Sequence, residues 1–418
     1  MLFFGAHIIA NYWLQIPEAE MTLVALSPAI FFVAIASVMR GYFNGRQNIK
    51  ATARSQTIEQ VFKTALTIIL VEIVAIISNV STEWMAGGAT LATTLATMSG
   101  FGYLYLYYKT RRKEIATEIK STVNYKYERV RSIIKKILLV SIPIALTAIM
   151  SSLNKNIDSF TVVRSLKQFM PEDMAIAQYG ILGGKVDTLT SLPLSINVAF
   201  STALVPAISA AKARKDKKTI TEKTSFSLLT SMLIGLPCTI GMCIFAGPIL
   251  NLLFPNASDG TVILQISSLT ILFTILDQTI NGALQGYGKL KIPTISLGVG
   301  VIVKLILNLI LVPIPEIGIN GAAWASVACH AVAFTIAITA LIKNIKLNLT
   351  FSKFVIKPAI ATAIMGICSY FIYSNLLGII SSKLATIVAI VLAVVIYVLT
   401  IIAVSYTHLR AHETRSNL

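Results

Sequence analysis

Residues 1–70 recur 241 positions later in the same chain, where Gly41, Gly45, Lys50, Ser55, Lys63 and Leu70 align without a gap to Gly282, Gly286, Lys291, Ser296, Lys304 and Leu311. The match reaches beyond apolar filler. The turn from Arg40 to Lys50 corresponds to the turn from Asn281 to Lys291, and each leads into an apolar helix that carries one lysine, Lys63 or Lys304. With a shift of register, Gly88 and Ala89 match Gly321 and Ala322 in the following helix. A chain made this way is expected to fold as two like halves. In a membrane chain such duplication is the mark of transporters, which hold a substrate site between two lobes and rock one against the other.

Composition makes this a membrane chain. It is 55% hydrophobic and 13% charged, against roughly 25% charged residues in ordinary soluble domains, and its mean hydropathy is +0.77. The formal net charge of +17 does not point to nucleic acid, because the basic residues lie in short clusters between apolar runs rather than on the face of a soluble domain. All four cysteines, Cys238, Cys243, Cys329 and Cys368, fall inside apolar segments and read as packing residues.

Apolar runs sit at about 1–16, 21–43, 56–79, 84–108, 134–157, 181–210, 224–250, 261–285, 291–313, 318–342, 353–377 and 383–404. All but the first reach the ~20 residues that a spanning helix needs. The expectation is an all-α integral membrane protein with two pseudo-symmetric helical lobes, two C-terminal helices and about twelve transmembrane segments. Its divisions are 1–108, the remainder of a first lobe; 109–133, an inter-lobe loop; 134–343, a six-helix second lobe; 353–404, the two last helices; and a polar tail, 405–418.

Basic clusters at Arg46 to Arg54, Lys109 to Lys136, Lys212 to Lys223, Lys289 and Lys291, and Lys343 to Lys353 alternate with weakly charged or acidic connections. The positive-inside rule makes the basic set cytoplasmic, so the first segment runs outward and the C-terminus lies inside. The loop 109–133 suits either a surface helix on anionic headgroups or a solvated linker. Because 134–241 has no partner in the first half, two helices are expected upstream of Met1. The tail reads as adapter-derived rather than native sequence. Its His408 and His412 have helical ligand spacing but lack a neighbouring glutamate or third ligand, so no metal site is expected.

Function is sought in ionisable residues within the spans, since a charge at the bilayer centre costs at least ~2.5–3.5 kcal/mol on insertion scales unless it meets water or a partner. Lys63 and Lys304 are the leading candidates for cavity cations that bind substrate. Snorkelling to the headgroups is the alternative for both, and an ion pair with Glu59, one turn earlier, is a second alternative for Lys63. Lys185 opens the 181–210 segment, whose Pro193 and Pro206 interrupt the helix ladder, and is a third cation candidate. Glu59, Arg40, Asp158, Arg164 and Asp277 are candidates for gating or ion pairing; Asp158 and Arg164 read as flanking the outer end of the 134–157 helix. The Gly41/Gly45 and Gly282/Gly286 pairs have GxxxG spacing, which lets helices approach closely, but their position at the cytoplasmic end of a span, with tyrosine or asparagine beside them, points to a tight inner-gate turn instead. No Walker motif, nucleophilic constellation or redox cysteine pair is present, so neither an enzyme nor a cofactor is expected.

The segment Ala29 to Glu59, with Arg40-Gly-Tyr-Phe-Asn-Gly-Arg-Gln-Asn48, Ser55-Gln56 and Glu59-Gln60, resembles the stage V sporulation protein B branch of the multidrug/oligosaccharidyl-lipid/polysaccharide exporter superfamily. Tyr179-Gly180, Lys185, Leu192-Pro193, Val205-Pro206-Ala207-Ile208, Leu284-Gln-Gly286, Val303-Lys304 and Gly321-Ala-Ala323 are similar to the same branch. The resemblance covers nearly all of 1–404. It implies a two-lobed bundle of fourteen helices in the bacterial cell membrane, and the flipping of undecaprenyl-pyrophosphate-linked sugars, such as the peptidoglycan precursor lipid II, to the outer face. The lipid-linked oligosaccharide, the bilayer and cell-wall synthesis enzymes are the implied partners. Helices one and two, which supply cavity arginines in related flippases, are not in this sequence. Two other readings stand beside this one. A cation-coupled exporter of small drugs would use carboxylates such as Glu59, Glu72 and Asp277, and a non-transporting scaffold would recruit cell-wall enzymes through the loop 109–136.

Overall fold

The computed structural model describes residues 2–13, 19–46, 48–77, 82–121, 128–255, 257–348 and 350–416. The described residues form helices and no strand, as the unbroken apolar runs require in a medium where every backbone group must be satisfied within its own segment. In chain order they are α1 (Leu2–Ile8), α2 (Ala19–Gly45), α3 (Ile49–Ile77), α4 (Thr82–Ser121), α5 (Val130–Leu166), α6 (Glu172–Gly180), α7 (Asp187–Ala213), α8 (Lys217–Ile244), α9 (Ala246–Leu253), α10 (Thr261–Gly286), α11 (Lys291–Leu311), α12 (Ile319–Asn344), α13 (Lys357–Leu376) and α14 (Ser382–Ser416). Short π-helical turns follow α1 at Ile9–Trp13, join α6 to α7 at Ile181–Val186, and precede α13 at Ser352–Ile356.

Among the described residues, nine helical stretches are long and apolar enough to cross a membrane, against twelve segments expected. The stretch Leu2–Asn11 is apolar but short. The helices α3 and α4 are long but carry more polar residues, among them Glu59, Lys63 and Glu72 on α3.

Several helix ends differ from the apolar boundaries. The helix α4 runs through the basic residues to Ser121, because Lys109 to Glu118 are good helix formers that no Gly or Pro interrupts. The loop expected at 109–133 is therefore helical over its first half, and 122–127 lie outside the described residues. The helix α5 continues to Leu166, which corrects the placement of Asp158 and Arg164 beyond its end: both are inside the helix, since nothing there breaks it. Lys185 lies in a π-helical turn within a run that is helical from Glu172 to Ala213, and Pro193 and Pro206 are accommodated inside α7.

Packing divides the chain into two units, 1–127 and 128–418. In the first, α4 lies against α2 and α3, around Ala36, Phe43, Ala51 and Leu104. In the second, α12 packs on α10 and α11 in the same order, α7 and α8 cover α10, and α5 lies along α11. One core cluster there centres on Val162, Leu182, Leu250 and Leu264, another on Ile208, Leu228, Ile280 and Leu284. The helix α13 packs on α14 and α8.

Candidate functional site

In the second unit the lysine of the repeat is buried. Lys304 is 3% exposed; its Nζ donates to Asp158 Oδ2 at 2.6 Å and to the Asn154 carbonyl at 2.9 Å. Asn308, one turn further along α11, donates to Asp158 Oδ1 at 2.9 Å and to Thr161 Oγ1 at 3.0 Å. Asn154, Asp158 and Thr161 are spaced along one face of α5, which is the face turned to α11. The Asn154 side chain meets two α12 residues, accepting from Cys329 Sγ and approaching His330 Nε2, each at 3.4 Å. A desolvated ion pair survives when its remaining donors and acceptors are satisfied; here α5 and α11 supply them, through the Asn154 carbonyl and the Asn308 amide. Arg164, in the last turn of α5, is exposed.

The first unit holds a different ion pair. Arg40 on α2 donates to Glu59 Oε2 on α3 at 2.6 Å and to Ser55 Oγ at 3.1 Å, with both charged side chains about four-fifths buried, at 18% and 19% exposure. Ser55 Oγ in turn donates to the Gly100 carbonyl at 3.1 Å, and Thr97 Oγ1 approaches Glu59 Oε1 at 3.4 Å. A Cβ at position 100 would stand 3.1 Å from Glu59 Oε2, so the glycine makes room for the carboxylate. Glu59 thus pairs across helices with Arg40 rather than along α3 with Lys63. Lys63 is exposed and has no ion pair among the described residues.

Among the described residues, no hydrogen bond or ion pair joins the other candidates to these clusters. Lys185 donates to the Ala257 carbonyl at 2.5 Å and sits over the Phe254 ring, 5.5 Å from its centroid. Asp277 is buried in α10, where its Oδ2 accepts from Asn281 Nδ2 at 2.8 Å; its Oδ1 has no hydrogen-bond partner among the described residues. Sequence reasoning did not anticipate the buried knot in which Asn197 donates to the Ile275 carbonyl at 2.9 Å and accepts from Ser231 at 2.8 Å, while Ser231 meets Thr279 at 2.6 Å. A proline one turn before an asparagine in an apolar helix, Pro193 before Asn197, was the available signal. A cavity of about 520 Å³ lies between α8 and α13, lined by apolar residues that include Leu236, Ile240, Ile244, Ile367 and Phe371.

Residues 18–389 match the family model of the lipid II flippase MurJ. Two relatives come from Bacillus subtilis (strain 168). Stage V sporulation protein B is 26% identical over 88% of this chain and 72% of its own length, and the lipid II flippase MurJ is 24% identical over 73% and 57%. This chain therefore spans less than two thirds of the latter. A solved structure of the lipid II flippase MurJ in an inward closed conformation shares the fold, with a TM-score of 0.66 and 16% identity over 97% of this chain and 81% of that one. With its spanning helices, its internal repeat and a match over most of its length, the chain belongs to the lipid II flippase MurJ family.

Proposed function

We propose that this protein is a flippase that moves a saccharide linked through a diphosphate to a long lipid, either lipid II or a polysaccharide repeat unit, from the inner to the outer leaflet, exposing the substrate to the two sides of the membrane in turn. Lys63 carries the reading. A lysine in an apolar helix needs water or an anion; its repeat mate Lys304 has Asp158, whereas the carboxylate nearest Lys63 in sequence, Glu59, is taken by Arg40. The diphosphate supplies the missing anion through charge-assisted hydrogen bonds. Within the second unit, Lys304 becomes free to bind an anion only when its pair with Asp158 opens, and Lys185 is a further candidate cation there. The apolar cavity between α8 and α13 suits part of a prenyl chain. The basic ends of the helices, which the positive-inside rule puts in the cytoplasm, set the direction.

The test is transfer of a fluorescent lipid-diphosphate disaccharide between leaflets of proteoliposomes. Lys63→Gln is expected to slow transfer at least about tenfold, the effect of about 1.4 kcal/mol of lost contact, while Lys63→Arg keeps most of it. An unchanged rate in Lys63→Gln overturns the assignment.

A further inference from the structure

The first unit contains a second cationic feature that the flippase reading does not use. A cavity of about 340 Å³ is lined by Asn48, Lys50, Arg54, Tyr103, Tyr107 and Arg111, so three cations and two phenols converge and no carboxylate lines the space. Lys50 and Arg54 make no ion pair among the described residues, and Arg111 has only an exposed contact with Glu114 at 3.9 Å, a type of pair worth little. The cavity is built rather than a random surface cluster. The Arg111 guanidinium lies 5.1 Å from the Tyr107 ring centroid, Tyr103 and Tyr107 stack at 6.0 Å, and Asn48 donates to the Tyr107 hydroxyl at 3.0 Å. That bond leaves the hydroxyl's own proton to donate elsewhere. The helix α3 begins at Ile49, and Lys50 and Ala51 of its first turn line the same space; the N–H groups of a first turn lack intrahelical acceptors.

The repeat provides an internal control. The matching positions in the second unit are Lys289, Lys291, Ile295, Ile336, Ala340 and Asn344, which keep the lysine of the turn but neither the tyrosines nor the arginines. There the turn is held by Lys212, which donates to the Tyr287 carbonyl and lies 4.6 Å from the Tyr287 ring centroid. The fold closes this turn with a single lysine on a single tyrosine and no arginine, so packing alone does not call for three cations and two phenols in the first unit.

We infer that the Lys50, Arg54, Arg111 and Tyr107 pocket binds a phosphate or diphosphate group, offered either by a lipid headgroup or by a soluble phosphate compound. The experiment uses the whole chain with two probes: inorganic pyrophosphate added to protein in neutral detergent, followed by calorimetry, and nanodiscs of phosphatidylcholine with or without phosphatidylglycerol, followed by the lipid retained on extraction. The double variant Arg54→Gln/Arg111→Gln is compared with Lys109→Gln/Lys113→Gln, which removes equal charge from the two residues that flank Arg111 on α4 at a spacing of two and do not line the pocket. Loss of pyrophosphate affinity by at least about tenfold in the first variant alone supports a soluble ligand. Selective loss of phosphatidylglycerol retention supports a lipid source. No binding of either probe, or equal loss in both variants, overturns the proposal. Because the double variant can fail to fold, acetylation of Lys50 in the unmodified protein gives a second readout. Pyrophosphate or phosphatidylglycerol is expected to slow it at Lys50 and not at Lys113, and equal rates with and without both anions overturn the assignment.

Discussion

Lys63 and Lys304 occupy the same position of the repeat, yet Lys63 is exposed on α3 while Lys304 is buried against Asp158. The glycines diverge in the same way. A Cβ at Gly282 would stand 2.6 Å from the Ser201 carbonyl oxygen, and one at Gly286 would stand 2.7 Å from that of Val205, whereas Gly41 and Gly45 have nothing within 4 Å among the described residues. Both differences trace to helices α5 and α7, which cover α11 and α10 in the second unit and have no counterpart among the described residues of 1–127. Glu59 corresponds to Gly300, whose added Cβ would meet the Cys329 carbonyl oxygen at 2.6 Å, so the seam that holds a carboxylate in one unit is backbone against backbone in the other. Duplicated sequence dictates duplicated helices; it does not dictate what each helix face meets.

The largest effect expected from this contrast is at the buried pair. Asp158→Ala or Lys304→Ala leaves an uncompensated buried charge and is expected to destabilise the second unit by about 3–5 kcal/mol, with Asp158→Leu/Lys304→Met recovering most of it. Lys63→Met is expected to stay within about 0.5 kcal/mol of the parent. Reversible unfolding in mixed micelles measures both, and equal costs at the two lysines would break the comparison. Next come the glycines. Gly282→Ala forces α10 from α7 and is expected to cost about 1–3 kcal/mol, while Gly41→Ala, on an open helix face, is expected to stabilise α2 by about 0.5–1 kcal/mol; thermal denaturation of the two variants side by side reads the difference.

The smallest effect concerns helix starts. Asp216 caps α8, accepting from the Thr219 N–H at 3.0 Å and from the Thr219 hydroxyl at 2.5 Å, and these bonds hold its carboxyl below the usual carboxylate range. At the start of α3, Asn48 instead turns its amide to Tyr107. A lowered folded-state pKa means that the contribution of Asp216 is present above about pH 4 and fades as pH falls through the folded value. The acid side of the stability profile of Asp216→Asn is therefore expected to flatten relative to the parent, measured by unfolding between pH 6 and pH 3.

The repeat, the membrane class and the existence of each long helix were legible in the chain, because apolar length and spacing are local properties. The ends of α4 and α5 were not, since helix formers carried both past the apolar boundary. Pairing was legible only in part. Lys304 stood out as an ionisable residue in an apolar run, and Asp158 as an acid near a helix end, but they lie 146 positions apart and no spacing rule joins them. Glu59 has a cation one turn along its own helix, yet it bonds to Arg40, 19 positions away, because that geometry also engages Ser55 and Thr97.

The amino-acid sequence by itself determined that this chain forms apolar helices in two related sets with basic ends, since hydrophobic length, charge clustering and self-similarity are written along the chain. Tertiary structure alone decided which lysine is neutralised and which stays open, because the partner of a buried charge is chosen by the helix that packs across from it, a matter of crossing geometry rather than of neighbours in the chain.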